Sequence, residues 1–401
     1  MLTRRCFLRA SAVAMAGVGV APPWLIRTAA QSSTKRKILV AIFQRGAADG
    51  LNMVVPFFEK RYYDLRPTIA VPEPGKPNGA IDLDGRFALH PSLRPLKGLW
   101  DTKQLAIIEA AGSPDPSRSH FDAQDFMESG TPGQTRDDGW LNRALPVRGH
   151  EPASPLRAVA LGTQLPRTLR GPQAAVAISN LEQFQTRNQT AAGILETMYS
   201  TSGDDQLGAA GKETFEAIRM IEAVNRGPYV PANGAQYQGQ FGQSLQQIAR
   251  LIKADVGVEA AFADIGGWDH HSNEAPQLAG LLLQFGASLS AFARDLGDRM
   301  EDIVLVTMSE FGRTVKEDGN NGTDHGHGNV MMVLGGPVRG GAIYGRWPGL
   351  EPEQLYEQRD LAVTTDFRDV LGELVSTHLG QKVERVFPGY SPAPALGLIR
   401  S

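Results

Sequence analysis

The sequence predicts an α/β fold built on a parallel β-sheet, and three observations carry that expectation. Short apolar runs recur along the chain, at Ile38–Phe43, Leu105–Ala111, Val256–Ile265, Ile303–Met308 and Val330–Leu334. Continuous hydrophobicity over about five to eight residues suits strands buried on both faces of a parallel sheet. Amphipathic stretches lie between some of these runs: Leu245, Ile248, Leu251 and Ile252 share one face of a helix expected over Phe241–Ala254. Several runs then open into loops that carry acids and histidines. In open α/β sheets, ligands bind in the loops beyond the carboxyl ends of the strands.

The 401 residues allow two or three domains, or one large α/β domain with an insertion. A chain of this length buries a core without staples. Hydrophobic content of 42% and charged content of 21% are ordinary for a globular protein, and a net charge of −3 offers nucleic acid no basic footprint.

Residues 1–30 read as a twin-arginine export signal. Paired arginines precede Phe7 and Leu8, a short apolar segment runs from Ala10 to Val20, and Thr28-Ala29-Ala30 offers a cleavage site. The apolar part is too short for a span of about 20 residues, and Pro22-Pro23 interrupts it. The expected protein is therefore periplasmic or secreted, with no membrane span after signal removal. Loss of Arg4, Arg5, Arg9 and Arg27, with no acid lost, would take the charge from −3 to −7. Cys6, the only cysteine, leaves with the signal. A metal site must then be built from His, Asp and Glu.

The expected α/β domain covers 35–401. Its first strand, Ile38–Phe43, runs into RGAADGLNMVVP, where Gly46 and Gly50 allow a tight turn around Asp49. Asp49 either caps that turn or faces a site. Asp84-Gly85 suits a hairpin turn. His90, before Pro91, reads as a structural hydrogen-bonder at the start of a helix, Ser92–Trp100. Leu105–Ala111 leads into GSPDPSRSHFDAQDFMESG, with a helix over Phe121–Glu128. Ser117 or Ser119 then sits near unpaired N–H groups at a positive helix end, a place that binds oxyanions. A serine there is either an N-cap or a nucleophile.

Ala158–Leu161 and Ala174–Ile178 suit a sheet edge or the base of an insertion, and residues 181–240 suit a helical cap over the site. Val256–Ile265 ends in GGWDHHSNE. On an extended loop, residues i and i+2 point the same way, so Asp269 and His271 suit one metal while His270 points elsewhere. Ala279–Met300 reads as a long helix on the sheet. Ile303–Met308 is followed by Glu310, Arg313, Asp324, His325 and His327 in a Gly- and Asn-rich loop, a set of hard and borderline metal ligands. His378, near the end of a helix over Asp366–Leu379, is placed where a cation offsets the helix dipole. Together these clusters describe a hydroxyl nucleophile beside one or two divalent ions, suited to displacement at phosphorus or sulfur, with Arg313 holding the ester oxygens.

The phrases RGAADGLNMVVP, SRSHFDAQDFMESG, GGWDHHSNE, SEFGRT and GTDHGHGNVMMVLGGPVRGG resemble, in that order, the exported bacterial family known as domain of unknown function 1501. That family is similar to the alkaline phosphatase and sulfatase superfamily. The resemblance implies a three-layer αβα fold with a largely parallel sheet, and a site for one or two divalent ions (zinc, manganese or calcium) above it. It matches Asp49 to a first-strand aspartate bridging metal and nucleophile, Ser119 to the nucleophile, and Asp269 with His271 to one metal. In SEFG, Glu310 stands in an aspartate's place and Phe311 stands where the superfamily has histidine. His325 or His327 matches the last histidine, or Asp324-His325 is itself a displaced Asp-His pair. The implied activity is an exported metal-dependent hydrolysis of phosphate or sulfate esters, on a small molecule or a polymer. The alternative, favoured by Phe311, is a non-catalytic exported binding or assembly protein on a degenerate hydrolase fold.

Overall fold

The computed structural model describes residues 36–147, 153–182 and 205–400. The expected export signal and residues 183–204 of the expected cap lie outside them. In chain order the strands are β1 (Ile38–Gln44), β2 (Val54–Pro56), β3 (Ile81–Asp82), β4 (Phe87–Leu89), β5 (Leu105–Gly112), β6 (Ala158–Leu161), β7 (Val176–Ile178), β8 (Ala260–Ile265), β9 (Ile303–Ser309), β10 (Asn329–Gly335), β11 (Ala342–Tyr344) and β12 (Thr365–Asp366). Among the described residues, nine of them form one sheet of order β11-β5-β10-β9-β1-β8-β6-β7, with β12 also paired to β5. β10 alone runs against the rest. The other three strands make a small antiparallel sheet, and Asp84-Gly85 turns its β3–β4 hairpin with Gly85 at φ 82°.

The strands alternate between two cores, as the period of two requires. On β1, Ile38, Val40 and Ile42 pack with Leu245, Ile248, Leu282 and Phe285. Leu39, Ala41 and Phe43 pack on the other face with Trp140, Phe367, Leu371 and Phe387. The first face is covered by α3 (Gly239–Lys253) and α4 (Glu274–Leu296), with α2 (Asp205–Val224) burying Met220 and Ile221 in the same core. The second face is covered by α1 (His120–Ser129), α5 (Phe367–Glu373) and shorter turns. The expected three-layer αβα arrangement is thus the one observed. No helix among the described residues is long and apolar enough to cross a membrane.

Two expected helices are interrupted. Ser92–Trp100 is a 3₁₀ segment, Pro91–Leu96, followed by a single α-turn, because Pro95 removes a backbone donor. Asp366–Leu379 changes to a π-turn at Leu374–His378. The expectation of a charged His378 is also overturned. Its ring is buried, Nε2 lies 3.0 Å from the Ile38 carbonyl, and burial pushes its pKa down to about 4. It is a neutral donor tying the π-turn to β1. His90 acts as expected, its Nδ1 accepting from Ser92 N at 3.0 Å, and burial lowers it likewise to about 4.

Both histidines are neutral in the fold, while in the unfolded chain they protonate below their ordinary value of 6.5. Stability therefore falls as pH drops from 6.5 towards 4, by about 2 kcal/mol for each histidine between pH 7 and pH 5. His378→Gln keeps a donor for Ile38 but cannot titrate. Urea unfolding should show its stability falling about 2 kcal/mol less than that of the parent over this interval. Equal losses would place the titration elsewhere.

Candidate metal centre

β8, β1 and β9 lie side by side and end level: Gln44 pairs with Ile265 on one side and Ser309 on the other. Ser309 Oγ donates to the Gln44 carbonyl at 2.7 Å and accepts from Ala48 N at 3.1 Å, joining two of the strand ends. Gly46 has φ 115°, and a Cβ there would lie 2.8 Å from Asp269 N. Glycine is what lets the β1 loop pass against the β8 loop. Trp268, fully buried, donates from Nε1 to the Ile265 carbonyl at 2.9 Å and anchors the next residue, Asp269. The loop after β9 returns over the site through an Arg313–His325 bridge. Its Gly322 lies so close to His271 that a Cβ would meet the carbonyl carbon at 2.4 Å.

These loops bring three imidazoles and one carboxylate together. His325 Nε2 lies 3.1 Å from His120 Nε2 and 3.0 Å from His271 Nε2. Asp269 Oδ1 lies 2.9 Å from His271 Nε2 and 3.2 Å from His325 Nε2, and Oδ2 lies 3.5 Å from His120 Nε2. Asp324 stands at the rim, with Oδ1 3.8 Å from His271 Nδ1 and Oδ2 2.6 Å from Arg359 Nη2. Two overlapping ligand groups result, His120–Asp269–His325 and His271–Asp324–His325.

The ring protons are placed by the groups behind. His120 Nδ1 is 2.8 Å from Glu310 Oε1, and His325 Nδ1 is 2.9 Å from the Arg118 carbonyl. Both partners are acceptors, so each Nδ1 carries the proton in a neutral ring and each Nε2 presents a lone pair to the cluster. Burial alone would raise Glu310, but hydrogen bonds from His120, Gln124 and Gly46 N hold it below the usual carboxylate range. The hydrogen bond from His120 to Glu310 in turn raises His120. Burial lowers His325. Asp269 is held low against its own burial by Arg313, whose Nη1 donates to Oδ1 at 2.7 Å.

The other expected site residues lie elsewhere or act indirectly. Glu310 is behind His120, outside the two ligand groups. Arg313 is fully buried; its guanidinium is committed to Asp269 and to the hydroxyl and carbonyl of Thr323, not turned towards an ester. His327 is buried and stacks on Tyr356 with ring centroids 4.3 Å apart, so His325 is the histidine brought to the cluster. His270 turns inward and is buried, as expected. Ser119 is the N-cap of α1, accepting from Asp122 N at 3.5 Å, and Ser117 accepts from Ser119 N at 3.2 Å. Phe311 packs against the rings of His120 and His325, at 5.0 and 5.1 Å.

Asp49 is not at the cluster. It is buried in a two-point ion pair with Arg66, at 2.5 and 3.0 Å. Burial would raise it, and the guanidinium outweighs that and holds it low. Beside it, burial and the charge of Asp49 push Glu274 well above the usual range. Thr323 donates to Glu274 at 2.7 Å and accepts from Arg313, which links this buried group to Asp269. His120 lies in the serine loop that the sequence marked as one of the acid- and histidine-bearing clusters, but it was given no ligand role there. Its signal was its neighbour Ser119, already placed at a helix start, with Gln124 one turn on. Arg66 lies in a Pro-rich loop 17 residues from Asp49 and carried no signal.

Removing one partner of a buried ion pair costs about 3–5 kcal/mol. Asp49→Asn should lose stability on that scale in urea unfolding, by the same amount in EDTA as in excess zinc. A loss seen only with zinc would mark Asp49 as a ligand.

A comparison with curated proteins finds no match. Among solved structures, the chain is similar to the C-terminal periplasmic domain of EcEptC from Escherichia coli in complex with zinc, at 9% identity over 76% of this chain and 74% of that chain, with a TM-score of 0.34. It is also similar to Ps i-CgsB in complex with k-i-k-neocarrahexaose (12% identity, 89% of this chain, 75% of that chain, TM-score 0.37). A third is alkaline phosphatase from the Antarctic bacterium TAB5 (12% identity, 76% of this chain, 93% of that chain, TM-score 0.29). The profile of the family described as "Protein of unknown function (DUF1501)" matches residues 87–385, most of the sequence, and the chain belongs to that family.

Proposed function

We propose that this chain is a metal-dependent hydrolase of phosphate or sulfate esters that holds one zinc-class ion among His120, His271, His325 and Asp269. One observation carries the proposal: His120 Nε2 and His325 Nε2 face each other across 3.1 Å, while Nδ1 of each ring faces an acceptor, Glu310 or the Arg118 carbonyl. With both rings neutral and their protons on Nδ1, the two Nε2 lone pairs would be bridged by a cation. Ligand atoms about 2.0–2.1 Å from a tetrahedral zinc stand about 3.3 Å apart. Within His120, Asp269 and His325 the separations are 3.1 to 3.5 Å, and His271 Nε2 lies 3.0 Å from His325 Nε2, all near that value. A carboxylate behind His120 and a carbonyl behind His325 are the usual supports of imidazole ligands.

An imidazole-rich set suits zinc and does not suit calcium, which takes oxygen ligands. The two ligand groups share His325, and a nitrogen lone pair serves one cation, so the proposal is for a single ion. Phe311 gives the neighbouring position an apolar ring in place of a second donor. When bound, the ion would polarise a phosphoryl or sulfuryl oxygen and lower the pKa of a nearby hydroxyl. Glu310 would hold the His120 proton at Nδ1, Arg313 would orient Asp269, and Ser119, next to His120 at the start of α1, would supply the attacking oxygen. In this reading the export signal at residues 1–30 sends the enzyme to the periplasm or beyond the cell. The commitment of Ser119 as an N-cap and of Arg313 to Asp269 favours a second reading, a metal-holding binding protein without turnover.

Purified without a histidine tag, the protein should carry one equivalent of metal by elemental analysis, and His271→Ala should lose it. Glu310→Gln should weaken zinc binding about 10–100-fold. Ser119→Ala should keep the metal and lose hydrolysis of phosphate and sulfate esters. Full turnover by Ser119→Ala would remove the serine from the mechanism. A metal-loaded parent that cleaves no ester in a broad panel would establish the second reading, and a protein that takes up no zinc would end both.

A further inference from the structure

We infer that the polar cleft beside the metal centre is a binding site for a neutral saccharide chain, which forms the alcohol portion of the ester. The link to the ester rests on the hydrolase reading; the cleft's own binding does not. The cleft has a volume of about 1070 Å³ and opens beyond the carboxyl ends of β1, β6, β7 and β8, with Arg45, Gly162, Ser179 and Gly266 on its wall. That size is at the upper end for small-molecule pockets, which run to about 1,000 Å³.

Most of the charge on the wall is internally balanced. Arg45 lies between Asp264 at 2.7 Å and Glu128 at 2.8 Å, and Arg167 is paired at two points with Asp125, both 2.9 Å. This leaves no basic strip for a nucleic acid or a polyanion. The two phenylalanines of the wall, Phe241 and Phe262, are buried, and Leu165 and Pro166 are half-buried, so among the described residues the cleft offers no large exposed aromatic anchor of the kind that docks a protein. The wall is rich in amides, and Gln164, Gln240 and Gln243 on it are exposed. Among the described residues, the side chains of Gln164, Gln240 and Gln243 make no hydrogen bond, and the Arg170 guanidinium makes one, from Nε to the Leu165 carbonyl. A carboxamide offers two donors and an acceptor, and a sugar hydroxyl is both donor and acceptor. A ligand with many hydroxyls satisfies such a wall, whereas an apolar one leaves it unpaired.

The cleft and the centre share a wall. His120, Gln124 and Glu128 stand four residues apart along one face of α1, which puts about 12 Å between the first and the last. Arg45 donates to Gln124 at 2.9 Å, and Gln124 donates at 2.9 Å to Glu310, the residue that holds His120. A chain lying in the cleft would therefore lead to the centre, with its ester at one end.

The test is an array of oligosaccharides, each in a neutral unmodified form and in a sulfated form, probed with the full protein and with Arg170→Ala, Gln243→Ala and His271→Ala. Gln243 is exposed on a helix, where alanine is well tolerated. Unmodified chains should bind the parent and His271→Ala alike, and Arg170→Ala and Gln243→Ala should each weaken binding about tenfold, the worth of one good hydrogen bond. Failure to bind any neutral chain, or binding untouched by both cleft variants, overturns the inference. Saccharide binding without ester hydrolysis would sink the hydrolase reading and leave the cleft, whereas hydrolysis of small esters without saccharide binding would do the reverse.

Discussion

Three parallel strands that end at one level are the constraint on which the site depends. β1 lies between β8 and β9, and its last residue, Gln44, faces the last residue of each neighbour. Strand register here cannot drift, because a shift of one residue would exchange the two cores that Val40 and Ala41 enter. With the register locked, the loops after β1, β8 and β9 leave the sheet together. Ser309 bonds across the gap to Gln44, and Gly46 removes the side chain that would push the Asp269 loop away. Asp269 and His271 then need no long reach to meet His325.

Each group at the centre is held by another behind it. Glu310 holds His120, the Arg118 carbonyl holds His325, and Arg313 holds Asp269. Arg313 is in turn backed by Thr323, Glu274, Asp49 and Arg66. Burying charges is costly unless they are paired, and here Asp49 answers Arg66 while Glu274 is pushed towards its neutral form. The result is a site whose ring orientations are set before any ligand arrives, the condition for tight and selective metal binding. It is also a site without spare groups: Arg313 and Glu310 are already committed to Asp269 and His120.

That division explains which residues were readable in advance. The proximity of Asp269 and His271, 2.9 Å apart, was, because alternation along an extended loop is a local property. The long central strands β1, β5, β8, β9 and β10 were, because each is a continuous apolar run, while the short β2, β3, β11 and β12 carried no such signal. Asp49, Glu310 and Arg313 were recognised as chemically important, but the parts they play differ from those expected. Asp49 pairs with Arg66, Glu310 stands behind His120, and Arg313 turns inward. A carboxylate at a strand end looks the same in sequence whether it faces a ligand or a buried guanidinium.

The sequence by itself determined the main parallel strands, their ends and the chemical types gathered beyond them, since these follow from apolar runs and from where polar loops interrupt them, and the family resemblance implied the three layers. Tertiary structure alone decided between His325 and His327, which differ by two positions in one glycine-rich loop. The Arg313–His325 bridge brings the first to Asp269, and packing against Tyr356 buries the second. It also brought in His120, whose helix starts 190 residues before Glu310 in the chain. Which ring nitrogen faces a cation depends on the acceptor behind the ring, and that acceptor is supplied by a distant part of the chain.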